Sequence, residues 1–235
     1  MKIVVFSDLH GSLNSLKALI NTRDFKTADK RIFLGDVVVG CSRPNDCLNL
    51  LKNIDCVCIL GNNDGYVASH IPEVDKVEFD NNKLLMIDWM KNNITQENKD
   101  FINSWPKNLS LIVNKKTIYF THYAWEVCNN DTNVIDSPRI KNEQSRKQMF
   151  KDIDADYIIF GHEHKTNYVI DNQKHYFCLG TLGLKSPGSY LVIEETTDNI
   201  KLEERFLDFD INEEIDLMDI AGYPYNKNKI SKKSF

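Results

Sequence analysis

The sequence predicts a layered α/β fold with its working residues at the carboxyl ends of the strands. Two observations carry that prediction. Short β-rich apolar runs alternate with stretches of helical periodicity, which is the pattern of strand–helix–strand crossovers. Five of those runs also end on a glycine or a small polar residue followed by Asp, Asn or His. Ile3–Phe6 runs into Ser7-Asp8-Leu9-His10, Ile32–Leu34 into Gly35-Asp36, and Val57–Leu60 into Gly61-Asn62-Asn63-Asp64. Ile118–Phe120 runs into Thr121-His122, and Tyr157–Phe160 into Gly161-His162-Glu163-His164. In open α/β sheets, ligands bind outside the carboxyl ends of the strands.

After Asp8 and His10, the residues Leu13, Leu16, Leu19 and Ile20 share one helical face, with Gly11 or Ser12 near the cap. The strand through Leu34 completes a βαβ unit. Gly35-Asp36 opens a loop to Arg43, and Pro44 suits the first turn of a helix whose core face is Cys47, Leu48, Leu50 and Leu51. The strand through Leu60 closes a second crossover. From Gly65 to about Asn108 the pattern is helical and polar. Leu84, Leu85, Ile87 and Trp89 form one short helix, and Thr95 caps another that Pro106 ends. This block lies between two site-bearing strands, so it reads as a helical insertion, residues 65–108, flanking the cleft.

Leu109–Val113 and Thr117–Phe120 read as a hairpin across Asn114-Lys115-Lys116. Tyr123–Ser137 is polar and irregular, and Ile140–Phe150 is a charged helix. Beyond His164 the chain turns to strands at Tyr168–Ile170, Tyr176–Leu179, Tyr190–Ile193 and Ile200–Phe206, then a last helix at Ile211–Ile220. One domain over residues 1–225 is expected, with a loose lysine-rich tail at 226–235.

Composition narrows the function classes. The 235 residues suffice for one sizeable core, and the formal charge is −5. That excess argues against bulk electrostatic attraction to nucleic acid or an anionic membrane. No apolar run approaches the roughly 18 residues that cross a bilayer, and Ile3–Phe6 is too short for a signal-peptide core, so a cytoplasmic protein is expected. Six cysteines, at 41, 47, 56, 58, 128 and 178, show no CxxC spacing. They read as small buried hydrophobes.

The strand-end donors point to metal. One ion needs three or four ligands, and seven oxygen and imidazole donors suit two. Without thiolates the set fits Mn, Fe or Zn and does not select among them.

The ordered motifs Asp-x-His, Gly-Asp, Gly-Asn-x-Asp, strand-end His and Gly-His-x-His resemble the calcineurin-like metallophosphoesterase superfamily, over Met1 to about Ile193. The stretch Gly35–Gly40 continuing to Pro44–Cys47 resembles its small bacterial phosphodiesterase-like branch. The resemblance implies a four-layer α-β-β-α sandwich of two mixed sheets with a dinuclear metal site. It implies that Asp8, His10 and His164 hold one divalent ion, that Asn62, His122 and His162 hold the other, and that Asp36 bridges them. A hydroxide between the ions would attack a phosphodiester or related phosphate ester in line. The expected partner is thus a small phosphate-ester or nucleotide substrate.

Two departures from that family stand out. The third residue of Gly-Asn-x-Asp is a general-acid histidine in many relatives; here it is Asn63, beside Asp64. An amide donates a hydrogen bond but gives up no proton near neutral pH. The Asn-Pro-Gly-Ser turn of relatives has its nearest match in Cys178-Leu179-Gly180-Thr181. Asn63, Asp64 and Asp36 are the catalytic candidates, and Arg43, Arg139 and Lys185 are candidate phosphate clamps. A dinucleoside polyphosphate is the second choice of substrate and a phosphomonoester the third. Val37-Val38-Val39 after Asp36 lacks the arginine of the protein-phosphatase branch. A catalytically inactive scaffold that binds a protein partner is the reading from another class.

Overall fold

A computed structural model describes residues 1–77, 79–125 and 143–225. The strands form two five-stranded sheets. The first takes β1 (Lys2–Phe6), β2 (Lys30–Phe33), β3 (Val57–Cys58), β9 (Gly188–Glu195) and β10 (Ile200–Leu207), in the order β10-β9-β1-β2-β3. β1, β2 and β3 run parallel, and β9 and β10 extend the sheet antiparallel. The second takes β4 (Asn108–Val113), β5 (Lys116–Thr121), β6 (Tyr157–Phe160), β7 (Asn167–Asp171) and β8 (Lys174–Cys178), in the order β4-β5-β6-β8-β7. β5, β6 and β8 are parallel, and β4 and β7 are antiparallel edges. Both sheets are mixed.

Side-chain alternation builds the layers. Ile3, Val5, Ile32, Leu34 and Ile59 of the first sheet meet Ile118, Phe120, Tyr157, Ile159 and Phe177 of the second in one apolar cluster between the sheets. The intervening residues Val4, Phe6 and Phe33 face outward onto a helical layer. That layer contains α1 (Leu13–Asn21), α3 (Pro44–Lys52) and the last helix (Ile211–Ile220). A short α2 (Arg23–Thr27) precedes β2. On the far side, Tyr119, Ile158, Phe160 and Tyr176 pack under Met149 and Phe150, at the end of the helix Glu143–Met149. The result is the four-layer α-β-β-α sandwich.

The stretch between β3 and β4 is helical: α4 (Asn62–Ala68), α5 (Glu73–Lys76), α6 (Asn81–Asn93) and α7 (Gln96–Asn103). Thr95 caps α7 by accepting the Asn98 N–H at 3.2 Å. Two elements depart from the sequence expectation. The strand through Leu60 is shorter than expected: β3 covers Val57–Cys58, Ile59 still donates to the carbonyl of Phe33 at 2.8 Å, and Leu60 turns its N–H to the carbonyl of Pro106 at 2.9 Å. The helical stretch, expected from Gly65, begins earlier: Asn62-Asn63-Asp64 form the first turn of α4. The charged helix expected from Ile140 is described from Glu143. The tail from residue 226, and Cys128, lie outside the described residues.

Candidate metal centre

The candidate ligands sit where the parallel strands of both sheets end. Asp8 and His10 follow β1, Asp36 follows β2, Asn62 opens α4 after β3, His122 follows β5, and His162 and His164 follow β6. Five of these seven hold a left-handed backbone: Asp8 (φ 56°), His10 (52°), Asp36 (61°), His162 (72°) and His164 (58°). Each such residue costs about 1–3 kcal/mol, and strain of this kind concentrates at functional sites. Two glycines permit the approach of the loops. A Cβ at Gly161 would collide with Ser7 Oγ and Asp8 Oδ2, and one at Gly61 would collide with Asp36.

Ligand atoms of Asp8, His10, Asp36 and His164 lie within 4.8 Å of one another. His10 Nδ1 lies 2.8 Å from the carbonyl of Val39 and 3.1 Å from that of Val38. Those acceptors fix the proton on Nδ1 and leave the Nε2 lone pair facing the cluster. There it meets His164 Nε2 at 3.0 Å. Among the described residues no hydrogen-bond donor serves the buried Asp8 Oδ1, and its near neighbours are His164 Nε2 at 3.2 Å and His10 Nε2 at 3.6 Å. An orphaned carboxylate oxygen facing two imidazole nitrogens fits a cation.

A second group adjoins the first. Asn62 Oδ1 lies 3.1 Å from His122 Nε2 and 2.9 Å from His162 Nδ1. His122 Nδ1 is turned to the carbonyl of Leu34 at 2.8 Å, so its Nε2 also carries the lone pair. Asp36 Oδ2 is 3.3 Å from His122 Nε2, which places Asp36 between the two groups.

The electrostatics favour added positive charge. Burial alone would raise the carboxyls of Asp8 and Asp36, but the His164 and His10 imidazoles hold Asp8 well below its ordinary range, and His122 does the same for Asp36. Burial would lower His122; Asp36 outweighs it and pushes the imidazole up to about 9. His10 is raised against its burial by Asp8 and Asp36. A divalent cation held by the Nε2 lone pairs of His10 and His122 would balance the same two carboxylates.

Asp64 and Asn63 are placed differently from each other. The fully buried Asp64 carboxylate accepts backbone N–H groups from Asp36 (2.7 Å), Val37 (2.9 Å) and Gly61 (3.0 Å). Burial and the neighbouring Asp36 push it up to about 7, against the pull of those donors. It braces the loop that carries Asp36. Asn63 donates its backbone N–H to Asp36 Oδ1 at 2.9 Å and its side-chain amide to Asp36 Oδ2.

The clamp candidates divide. The Arg43 guanidinium is engaged by the buried Glu214 at 2.5 Å and by Asn14 at 2.9 Å. Lys185 is exposed, and Arg139 lies outside the described residues. Glu163, between two candidate ligands, turns to a neighbouring cavity that Arg146 and Tyr176 also line. One residue that sequence reasoning missed enters from the insertion: Lys83 of α6, whose ammonium donates to Asn63 Oδ1. No local pattern marks it, because its partner is twenty residues away.

Residues 1–198 match the family model described as the calcineurin-like phosphoesterase superfamily domain. An uncharacterised protein of Methanocaldococcus jannaschii is 31% identical over 120 residues. That stretch is 51% of this chain and 48% of the relative, so the match spans about half of the relative's length. A metallophosphoesterase from Sphaerobacter thermophilus superposes with a TM-score of 0.75 at 17% identity, covering 99% of this chain and 98% of that one. A protein from Pyrococcus horikoshii OT3 superposes with a TM-score of 0.77 at 16% identity, covering 97% and 96%. At these identities the likeness is one of fold.

Proposed function

The chain belongs to the calcineurin-like phosphoesterase superfamily, and from that premise we propose that it is a metal-dependent phosphohydrolase acting on phosphodiesters. The observation that carries this reading is the convergence of Asp8, His10, Asp36 and His164 within 4.8 Å, on backbone that is strained at each of the four. Strain of this kind concentrates at functional sites, which favours a working centre over an inactive scaffold.

Asp8, His10 and His164 would hold one ion and Asn62, His122 and His162 a second, with Asp36 shared. When bound, two such ions polarise phosphoryl oxygens and make water a nucleophile near neutral pH. The carbonyls of Val39 and Leu34 keep His10 and His122 in the tautomer that presents Nε2. Asp64 fixes the backbone of Asp36, and Asn63 holds both of its carboxylate oxygens. Two bound dications beside Asp8 and Asp36 would make the centre attract phosphate, although the chain as a whole is acidic.

Asn63 has no proton to give, so a leaving oxygen that is stable as an anion is favoured. This places activated diesters first and nucleotide anhydrides, such as dinucleoside polyphosphates, second. Alkyl monoesters come last. The test is a hydrolysis panel of mono-, di- and anhydride phosphates with Mn, Fe or Zn, beside a metal analysis and a chelator control. Metal-dependent turnover of a diester is the expected result. Absence of bound metal, or turnover that survives chelation, overturns the reading.

A further inference from the structure

We propose that Lys83 receives the leaving group: its ammonium stabilises the oxygen that departs from phosphorus, and it thereby sets which esters the site cleaves. The inference rests on the phosphohydrolase reading and names a part of the site that the metal-ligand pattern does not contain.

Lys83 reaches the centre through one amide. Its Nζ donates to Asn63 Oδ1, and the Nδ2 of the same amide donates to Asp36 Oδ2. A cation on one side and a carboxylate on the other leave the amide a single sensible orientation. The amide therefore works as a spacer that holds an ammonium beside the metal cluster and off the Asp36 carboxylate.

Helix stability does not explain this placement. Lys83 is the third residue of α6, and its own N–H is capped by Asp80 at 2.7 Å. A cation in the first turn of a helix opposes the macrodipole. The side chain is aimed by packing instead. Its ammonium lies 5.8 Å from the centroid of the Phe79 ring, which packs edge-on against Tyr66 at 5.4 Å. Tyr66 is anchored in turn by a 2.6 Å hydrogen bond to the buried Asp75. The insertion is built to hold this lysine over the site.

The chemistry suits a weak point of the site. Water's oxygen forms the new bond to phosphorus, and the bond to the leaving oxygen breaks with its electron pair on that oxygen. One proton of the attacking water is released, and the leaving oxygen takes a proton from solvent after it departs. Asn63 cannot supply that proton, so the negative charge on the leaving oxygen needs a fixed cation. An ammonium has three donors and can hold the amide and a phosphate-ester oxygen together. Removing one such donor from a developing oxyanion costs about 10²–10³ in rate.

The experiment compares the metal-loaded full chain with Lys83→Met and Lys83→Arg on aryl phosphodiesters of graded leaving-group acidity. The expected result is a loss of about 100-fold in kcat/KM for the least acidic phenol, with little change for 4-nitrophenolate. The dependence of log kcat/KM on leaving-group pKa then becomes steeper in Lys83→Met and is restored by Lys83→Arg. Bound metal and Tm remain as in the parent. Inorganic phosphate, titrated calorimetrically, binds Lys83→Met several-fold more weakly. An equal loss across the series with unchanged slope overturns the assignment, as does a loss of bound metal that accounts for the whole effect. If the parent cleaves none of the esters, the phosphohydrolase reading fails and this inference falls with it. If the parent is active and Lys83→Met matches it, this inference alone fails.

Discussion

The carboxylate of Asp64 accepts the backbone N–H of Asp36 at 2.7 Å, with Val37 held by its other oxygen at 2.9 Å. A fully buried side chain from the first turn of α4 thus fixes the main chain of a loop that begins after β2. Asp36 needs such a brace, because its φ of 61° is one that a non-glycine residue adopts at a cost.

Asp64→Asn should loosen that brace. The amide keeps one acceptor but turns its NH₂ toward backbone donors, and each buried N–H left unpaired costs about 1–3 kcal/mol. We expect a lower Tm together with weaker metal retention, measured by melting and by metal analysis after dialysis. Full metal content with a reduced kcat would show that Asp64 acts on the substrate instead.

Asp36→Ala should be the most damaging substitution at the centre. Asp36 lies between the two donor groups, 3.3 Å from His122, and receives both hydrogen bonds from Asn63. Metal content and turnover should fall together, while the exposed Lys185→Ala keeps most activity. Near-normal turnover with two bound ions in Asp36→Ala would sink the shared-ligand assignment.

Gly161→Ala should act through sterics alone. The added methyl meets Ser7 Oγ and Asp8 Oδ2, so either β6 or the Asp8 loop must move. Overpacking of this kind costs about 1–3 kcal/mol. The expected outcome is a lower Tm with impaired metal uptake. An unchanged protein would mean that the two loops slide past each other freely.

Glu214→Ala should destabilise without touching the chemistry. Its buried carboxylate binds Arg43, Ser12 and the N–H of Asn14, tying the helix Ile211–Ile220 to the start of α1. Loss of one partner of a buried pair costs about 3–5 kcal/mol, and the partial exposure of Arg43 favours the lower end. Arg43→Ala should show a similar loss of stability with phosphate affinity intact. A fall in phosphate affinity at unchanged Tm would restore Arg43 as a clamp.

The strands, the order of their donors and the chemical type of each donor are legible in the chain alone. A buried strand is written in contiguous residues, and the residue after its last apolar position must emerge at the sheet edge. Tyr157–Phe160 ending on Gly161-His162 is readable for that reason. The hairpin is readable too, but not its turn: the expected Asn114-Lys115-Lys116 connection is the two-residue turn Asn114-Lys115, both at positive φ, with Lys116 already paired to Val113. Contacts between distant segments are another matter, because no local pattern encodes them. Asp64 reads as one more acid until the backbone of Asp36 comes within 2.7 Å of it. Arg43 reads as a free cation until Glu214, 171 residues later, takes its guanidinium. Lys83 reads as a helix-surface lysine until the insertion folds back and brings it to Asn63. Periodicity reports which side of an element is buried. Which distant group it meets there depends on how the layers close, and that is settled only when the two sheets and the inserted helices pack.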